Sequence, residues 1–501
     1  MPKIKKDKNG QTNSINQVRY GCALGAMHSV SAIPGAIPIT HCGPGCVDKQ
    51  YMSLSFYNGY QGGGYSGGAV PPSSNLQEKD VVFGGAKHLD QLIAASLKIL
   101  EGDLFVVLNG CIPEIVGDDI GAVVARYQEK GVPIVSAETG GFKGNNFTGH
   151  EIVTEAIIEQ YVDKYAQDKD TKKKGLINVW SELPFQNTFW RGDLTELKRI
   201  LEGAGWEVNI LFGYGSKGVK EWLTIPHAEF NLVVGPWLGL KTAKLLERKY
   251  GQPYLHLPVL PIGAKQVAEF LRAIAAFAKE NEVQTERFIK QEEKEYYYYL
   301  EYFTDFYAEY WWGLPAVYSV VSDAAYNLAI NKFVVNQLGL IPGKQIITDH
   351  TPEKYHEAIR AEYQKLAEDV GAEVEFVEDG YIVNQLLKQE DYGHKPPVIF
   401  GTSWERDTVK ELNGHIVEVS YPVSYDVVLN TDNKAFGGNG LADDSVRHFT
   451  NYDPIYEQDN RLSAFATQAQ TQQMYNRGEY IELPEVEVTT VKRKEKPTNQ
   501  Y

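Results

Sequence analysis

Apolar residues recur along this chain in two alternating rhythms. Short unbroken runs of branched and aromatic residues are followed by stretches in which they return every three or four positions. That is the mark of buried parallel strands alternating with amphipathic helices. Residues 103–110 read as a buried strand, 118–130 as a helix carrying Ile120, Val123, Val124 and Tyr127 on one face, and 132–136 as the next strand. After a charged run at 168–174, which reads as a linker, the alternation restarts. Strands are expected at 175–180, 206–212 and 230–234, with helices at 194–204 and 240–250. One long helical stretch is expected over 264–310, with the run Tyr296-Tyr297-Tyr298-Tyr299 packing against a neighbouring domain or chain. A third unit follows, with strands at 317–322, 345–349, 373–377, 397–400 and 415–420 and a helix at 354–370.

The pattern predicts an α/β protein of three Rossmann-like parallel-sheet domains, with a long helical segment between the second and third. The expected boundaries are 15–175, 176–310 and 311–485, with a charged tail over 486–501. The chain's 501 residues have room for about three domains at ~150 residues each. A net charge of −16 argues against nucleic acid and anionic membrane as partners, because both select a basic footprint. No apolar run reaches membrane-spanning length, and the basic start lacks the apolar core of a secretory signal. Only 4 cysteines in so long a chain do not form a disulfide framework, so a reducing cytoplasm is the expected compartment.

Those cysteines change the picture. Cys22, Cys42, Cys46 and Cys111 all lie in the first quarter of the chain, each in a glycine-rich turn. Thiolates are soft anionic ligands suited to iron–sulfur clusters or zinc. Zinc sites favour close cysteine pairs; Cys42-x3-Cys46 is at most half of one, and no second half exists. Thiols on three separate loops leave a cubane-type cluster one ligand short, which suggests a cluster shared between two chains. Cys111 is placed where a strand ends and a helix begins, the position at which open α/β sheets build ligand sites.

The residues around these thiols carry a family likeness. Cys22-Ala23-Leu24-Gly25-Ala26, His41-Cys42-Gly43-Pro44-Gly45-Cys46 and the run from Gly110-Cys111-Ile112-Pro113-Glu114 to Gly117-Asp118-Asp119 resemble the nitrogenase component 1 family. So do Val82-Phe83-Gly84-Gly85, the glycine-rich loop from Thr139 through Thr148-Gly149-His150, and two later segments at 401–407 and 421–426. The resemblance spans residues 18 to about 440. It implies a pairing of related α and β subunits, each giving three cysteines to an 8Fe-7S P-cluster at their interface. Carried over by position, the ligands here are Cys22, Cys46 and Cys111, with Cys46 bridging the cluster halves. Cys42 is an extra thiol, read first as a neighbour of the ligands and second as an alternative ligand. Family α subunits hold the catalytic metal cofactor through a later cysteine and histidine. No cysteine follows Cys111, so the chain reads as β-type, and residues 437–441 look β-like. The resemblance further implies an α2β2 assembly, an ATP-dependent iron–sulfur reductase as electron donor, and reduction of a substrate such as dinitrogen in the partner. Gly141 falls where β subunits of the molybdenum enzyme carry a serine, so that extra oxygen ligand is absent.

Three rival readings stand beside this one: a related reductase of an organosulfur compound or tetrapyrrole, a cofactor-assembly scaffold, and an oligomeric α/β protein with structural zinc. Other signals have plainer readings. His41 either stabilises its turn or hydrogen-bonds a cluster sulfur. His28 reads as a core or surface residue. His350 and His356 read as solvated. Asp118 and Asp119 read as helix N-terminal charges. Residues 235–242 lack the Gly-Lys-Ser/Thr ending of a phosphate loop, so ATP, where used, binds another protein. Residues 62–68 read as a surface loop.

Overall fold

The structure, a computed structural model, describes residues 19–56, 71–310 and 316–424. The expected surface loop at 62–68, the β-like run at 437–441 and the charged tail lie outside the described residues. Three parallel sheets carry the fold. The first has the order β1 (Ala36–His41), β2 (Leu104–Asn109), β3 (Ile134–Ala137). Its register pairs Ile39 with Val107 and Phe105 with Ile134. All six residues of β2 are buried, as a central parallel strand requires. β1 escapes a reading by pattern because Pro38 interrupts it, and it lies at the sheet edge, where proline costs no ladder bond.

The second sheet contains β4 (Lys173–Trp180), β5 (Glu207–Asn209), β6 (Ala228–Val234) and β7 (Tyr254–Leu257), ordered β5-β4-β6-β7. The third contains β8 (Val317–Ser322), β9 (Ile341–Pro342), β10 (Gln345–Ile347), β11 (Val374–Phe376), β12 (Val398–Gly401) and β13 (His415–Glu418). Its order is β11-β10-β8-β12-β13, and β9 pairs with β8. The strand expected at 206–212 shrinks to β5, because the chain leaves the sheet before Leu211, which has φ +69°.

The long helical segment divides into two helices, Gly263–Ala278 and Glu282–Tyr310. Lys279 and Asn281, both at φ +58°, turn the chain between them. Of the tyrosine run, Tyr296 is buried and donates to Gln337, whereas Tyr297 and Tyr298 stay half exposed. The helix expected over 354–370 is shorter, His356–Tyr363. Buried Tyr363 anchors its end by donating to Asn327, and the chain then reverses through an Ala367–Val370 bridge.

The segment before the first helix fastens the sheets together. Buried Arg19 pairs with Glu405 at 2.7 Å, beside β12. Tyr20 lies within hydrogen-bond distance of Thr348 (3.3 Å) and Ser420 (3.2 Å). Trp237 donates to Asp349, and Tyr326 to Asp193 at 2.7 Å, tying the second and third sheets. Residues 20–26 are thus pinned from several sides, which fixes the position of Cys22.

Candidate metal centre

The carboxyl edge of the first sheet delivers the cysteine loops to one place. Cys42 follows β1, and Cys46 lies one turn into the helix Pro44–Phe56. Cys111 opens the helix Cys111–Val116 immediately after β2 and Gly110. β3 leads to the turn Gly141–Lys143. Cys22 comes from the other side, held where the Ala23 amide donates to Gly144 at 2.9 Å and the Asn146 amide to Tyr20 at 3.1 Å.

Gly141 is the meeting point. Its amide donates to Cys111 Sγ at 3.1 Å. A Cβ on Gly141 would lie 3.0 Å from Cys111 Sγ and 3.4 Å from Cys22 Sγ. Glycine leaves the two thiols room that a side chain would crowd by a few tenths of an ångström. Cys46 is close enough to Cys22 that a negative charge on either raises the other's proton affinity. Burial is the main force pushing the Cys22 thiol up, opposed by the Leu24 amide and Lys49. Cys22, Cys46 and Cys111 are half-buried, whereas Cys42 is fully buried.

Cys42 and Cys46 share a proton unequally. A hydrogen bond from Cys42, helped by the Gly43 amide and Lys49, lowers Cys46 to about 6. The same contact and then burial push Cys42 far up. Their contact favours one thiolate over two, and the less buried Cys46 is the one whose proton affinity falls. Among the described residues, no three His, Cys, Asp or Glu side chains converge tightly enough for a single metal ion. The donor set is soft and thiol-rich, with two of its sulfurs meeting beside Gly141, which fits a multi-iron cluster better than a lone zinc.

Pattern reading missed Gln50. It is 1% exposed, and its amide donates to Cys22 Sγ at 3.7 Å. The signal was available: Gln50 lies four residues after Cys46 on one helix, hence on the same face. His41 does not contact sulfur. Its ring nitrogens face Ser74 (2.9 Å) and Asp118 (3.1 Å), and burial lowers its pKa. Asp118 also accepts from the Gly85 amide, so it clamps loops, while Asp119 caps the helix Ile120–Gln128 through the Ala122 amide. His28 is a buried core residue that faces Gln186 at 3.2 Å. Of the two later histidines, exposed His350 pairs with Glu378, but His356 is half-buried and stacked on Phe376 at 3.6 Å.

A profile of the nitrogenase component 1 type oxidoreductases matches residues 22–443. The chain belongs to that family. Among its relatives is a light-independent protochlorophyllide reductase chain of Angiopteris evecta, 25% identical over 410 residues, covering 76% of this chain and 74% of the relative. The nitrogenase molybdenum-iron protein beta chain of Bradyrhizobium diazoefficiens is 24% identical over 286 residues, 52% of this chain and 53% of that one. The solved structure of nitrogenase Cp1 at pH 6.5 superposes with a TM-score of 0.69 at 20% identity, over 89% of this chain and 95% of that one. That likeness establishes the nitrogenase component 1 fold.

In this family member the helix Asn146–Ile157 packs on the segment that follows Cys22 and buries His150 there. His150, 6% exposed, faces Ser29 Oγ at 2.8 Å, and burial lowers its pKa to about 4. Neutral His150 therefore contributes stability in full above pH 6.5. The contribution falls as pH drops from 6.5 toward 4, because the unfolded chain takes up the proton first. The loss amounts to about 3 kcal/mol at most. Urea denaturation of wild type and His150→Asn at pH 7.5 and 4.5 isolates this term. The variant's stability should fall less with acid, and parallel losses would show His150 to be irrelevant.

Proposed function

We propose that this chain is a β-type subunit of a nitrogenase or nitrogenase-like reductase that relays electrons through a P-cluster shared with an α-type partner. Cys22, Cys46 and Cys111 hold this chain's half of the 8Fe-7S cluster. The convergence of Cys22 and Cys111 on side-chain-less Gly141 carries the reading, with Cys46 already favouring its thiolate. When bound, the cluster supplies reversible electron storage. The chain's own residues fix the three sulfurs and direct the Gly141 and Gln50 N–H groups at two of them.

The partner has a surface to meet. Val82, Phe83, Ile115 and Phe142 are 72%, 86%, 75% and 59% exposed on the elements flanking the thiols. Clustered exposed apolar residues mark interaction surfaces. The α-type subunit, in an α2β2 assembly, covers the cluster there and holds the catalytic metal cofactor, because no cysteine follows Cys111 here. An ATP-dependent iron–sulfur reductase supplies electrons, dinitrogen is the favoured substrate and the cytoplasm the compartment. A second reading, reduction of a tetrapyrrole, is favoured by the longer match to the protochlorophyllide reductase chain.

Co-purification with the α-type partner under anaerobic conditions tests the proposal. The expected result is about four irons per chain, half of an eight-iron cluster. Iron-free protein, or one zinc per chain, would sink it. Assays with dinitrogen and with protochlorophyllide, each with reductase and ATP, separate the two readings, and inactivity with both indicates an assembly scaffold. Gln50→Leu removes a donor that favours the more negative, reduced cluster. The midpoint potential should fall in an EPR-monitored redox titration; an unchanged potential would show the Gln50 amide to be idle.

A further inference from the structure

Successive amides close the turn after β3 onto the segment that carries Cys111. The Thr139 amide donates to Asn109 Oδ1 at 2.6 Å, the Gly140 amide to Glu114 Oε2 at 3.0 Å, and the Gly141 amide to Cys111 Sγ at 3.1 Å. Thr139 is fixed a second time through its hydroxyl, which donates to the Asn109 carbonyl at 2.8 Å.

Glu114 supplies the middle hold. It lies one turn beyond Cys111 on the helix Cys111–Val116, hence on the same face. Its other oxygen, Oε1, pairs with Lys143 at 2.7 Å, at the far end of the turn, and Lys143 also reaches Glu138 at 3.0 Å. One carboxylate therefore grips the turn at both ends, Gly140 by its backbone and Lys143 by its side chain. A Cβ on Gly140 would run into Glu114 Oε2, so glycine leaves the carboxylate its place. Hydrogen bonds to an ionised acceptor are roughly twice as strong as neutral ones, whereas thiol sulfur is a weak acceptor. The charged clamp, and not the N–H···S contact, is what can set the turn.

We propose that Glu114 is a positioning residue that aims the Gly141 amide at the Cys111 sulfur, with Lys143 as its counter-charge. This rests on the reading of Cys111 as a cluster ligand. Glu114 acts through Gly141. An amide directed at a cluster sulfur favours the more negative, reduced state, so a turn that drifts away lowers the potential.

Two double variants isolate this role. Glu114→Leu with Lys143→Met removes both holds. Glu114→Gln with Lys143→Met restores an acceptor for the Gly140 amide. Both keep the wild-type net charge, so the difference between them reports the hydrogen bond and not the field at the cluster. Hydrogen exchange resolved to single residues, on the full-length chain in its complex, is the first readout. The Gly140 and Gly141 amides should exchange about tenfold or more faster in the first double variant and near the wild-type rate in the second. The Thr139 amide, held by Asn109, should stay protected in both. The second readout is the cluster's midpoint potential. It should be lower in the first double variant than in the second, by about tenfold in the reduction equilibrium or ~59 mV for one electron. Unchanged Gly141 exchange in the first variant, equal acceleration in both, loss of Thr139 protection alongside, or equal potentials would overturn the assignment. The exchange comparison needs no iron, so iron-free protein would defeat the electron relay and leave this test intact.

Discussion

Cys111→Ala and Cys22→Ala are each expected to strip the complex of its iron, whereas Cys42→Ala keeps it. Cys111 and Cys22 present their sulfurs to one point beside Gly141 from independent backbone segments, so no other thiol can replace either. Loss of an outer-shell partner typically lowers metal affinity roughly 10–100-fold, and loss of a ligand exceeds that. Cys42 differs in kind. It is fully buried, and its contact with Cys46, together with burial, pushes its thiol pKa far up. Its removal leaves three thiolates in place and takes one hydrogen bond from Cys46, so iron stays while the cluster's potential shifts downward. Iron by mass spectrometry, with a redox titration of Cys42→Ala, reads both results. Wild-type iron in Cys111→Ala would defeat the ligand assignment. Equal iron loss in Cys42→Ala would make Cys42 a ligand.

Gly149→Ala should damage the site through a single added methyl. Gly149 lies in the helix Asn146–Ile157 where it crosses the segment that starts at Cys22. A Cβ there would lie 2.1 Å from the Ala23 carbonyl oxygen, a backbone atom that no rotamer change can move. Overpacking of this kind costs about 1–3 kcal/mol and occasionally more. Alanine's helix preference over glycine returns about 1 kcal/mol. The clash wins, because it can be relieved only by displacing Ala23 and with it Cys22. Lowered stability and lowered iron content are expected together. Gly45→Ala is the control: it lies in the helix beside Cys46 with open space around its Cβ, so stability should hold or rise by about 0.5–1 kcal/mol. Normal iron in Gly149→Ala would show that the 20–26 segment is free to shift.

Much of the architecture was legible as pattern. β8 and the helix Leu240–Tyr250 fall on the residues that periodicity marks, because long apolar runs and one-faced repeats survive any tertiary context. β1 was hidden by Pro38, and the break at Lys279 and Asn281 by the helical spacing on either side of it, although Asn281 is a residue that tolerates left-handed backbone. Both were settled by where the chain had to go next. Around the thiols, sequence pointed to cysteines but not to their supports. Gln50 and the Gly141 amide act on sulfur only because a helix face and a turn after β3 are brought to the same sheet edge. His41 illustrates the reverse: adjacent to a cysteine in sequence, it points away to Ser74 and Asp118, since successive residues at a strand end face opposite sides.

The amino-acid order alone determined the alternation of strands and helices, the family, and which soft ligands the chain owns. These are local or compositional properties, carried by periodicity and by scarce residues in glycine turns. Tertiary structure alone decided which thiols lie in contact, which glycine two of the sulfurs converge on, and which amides reach them. Those depend on distances of a few ångströms between segments more than a hundred residues apart, and no spacing along the chain encodes them.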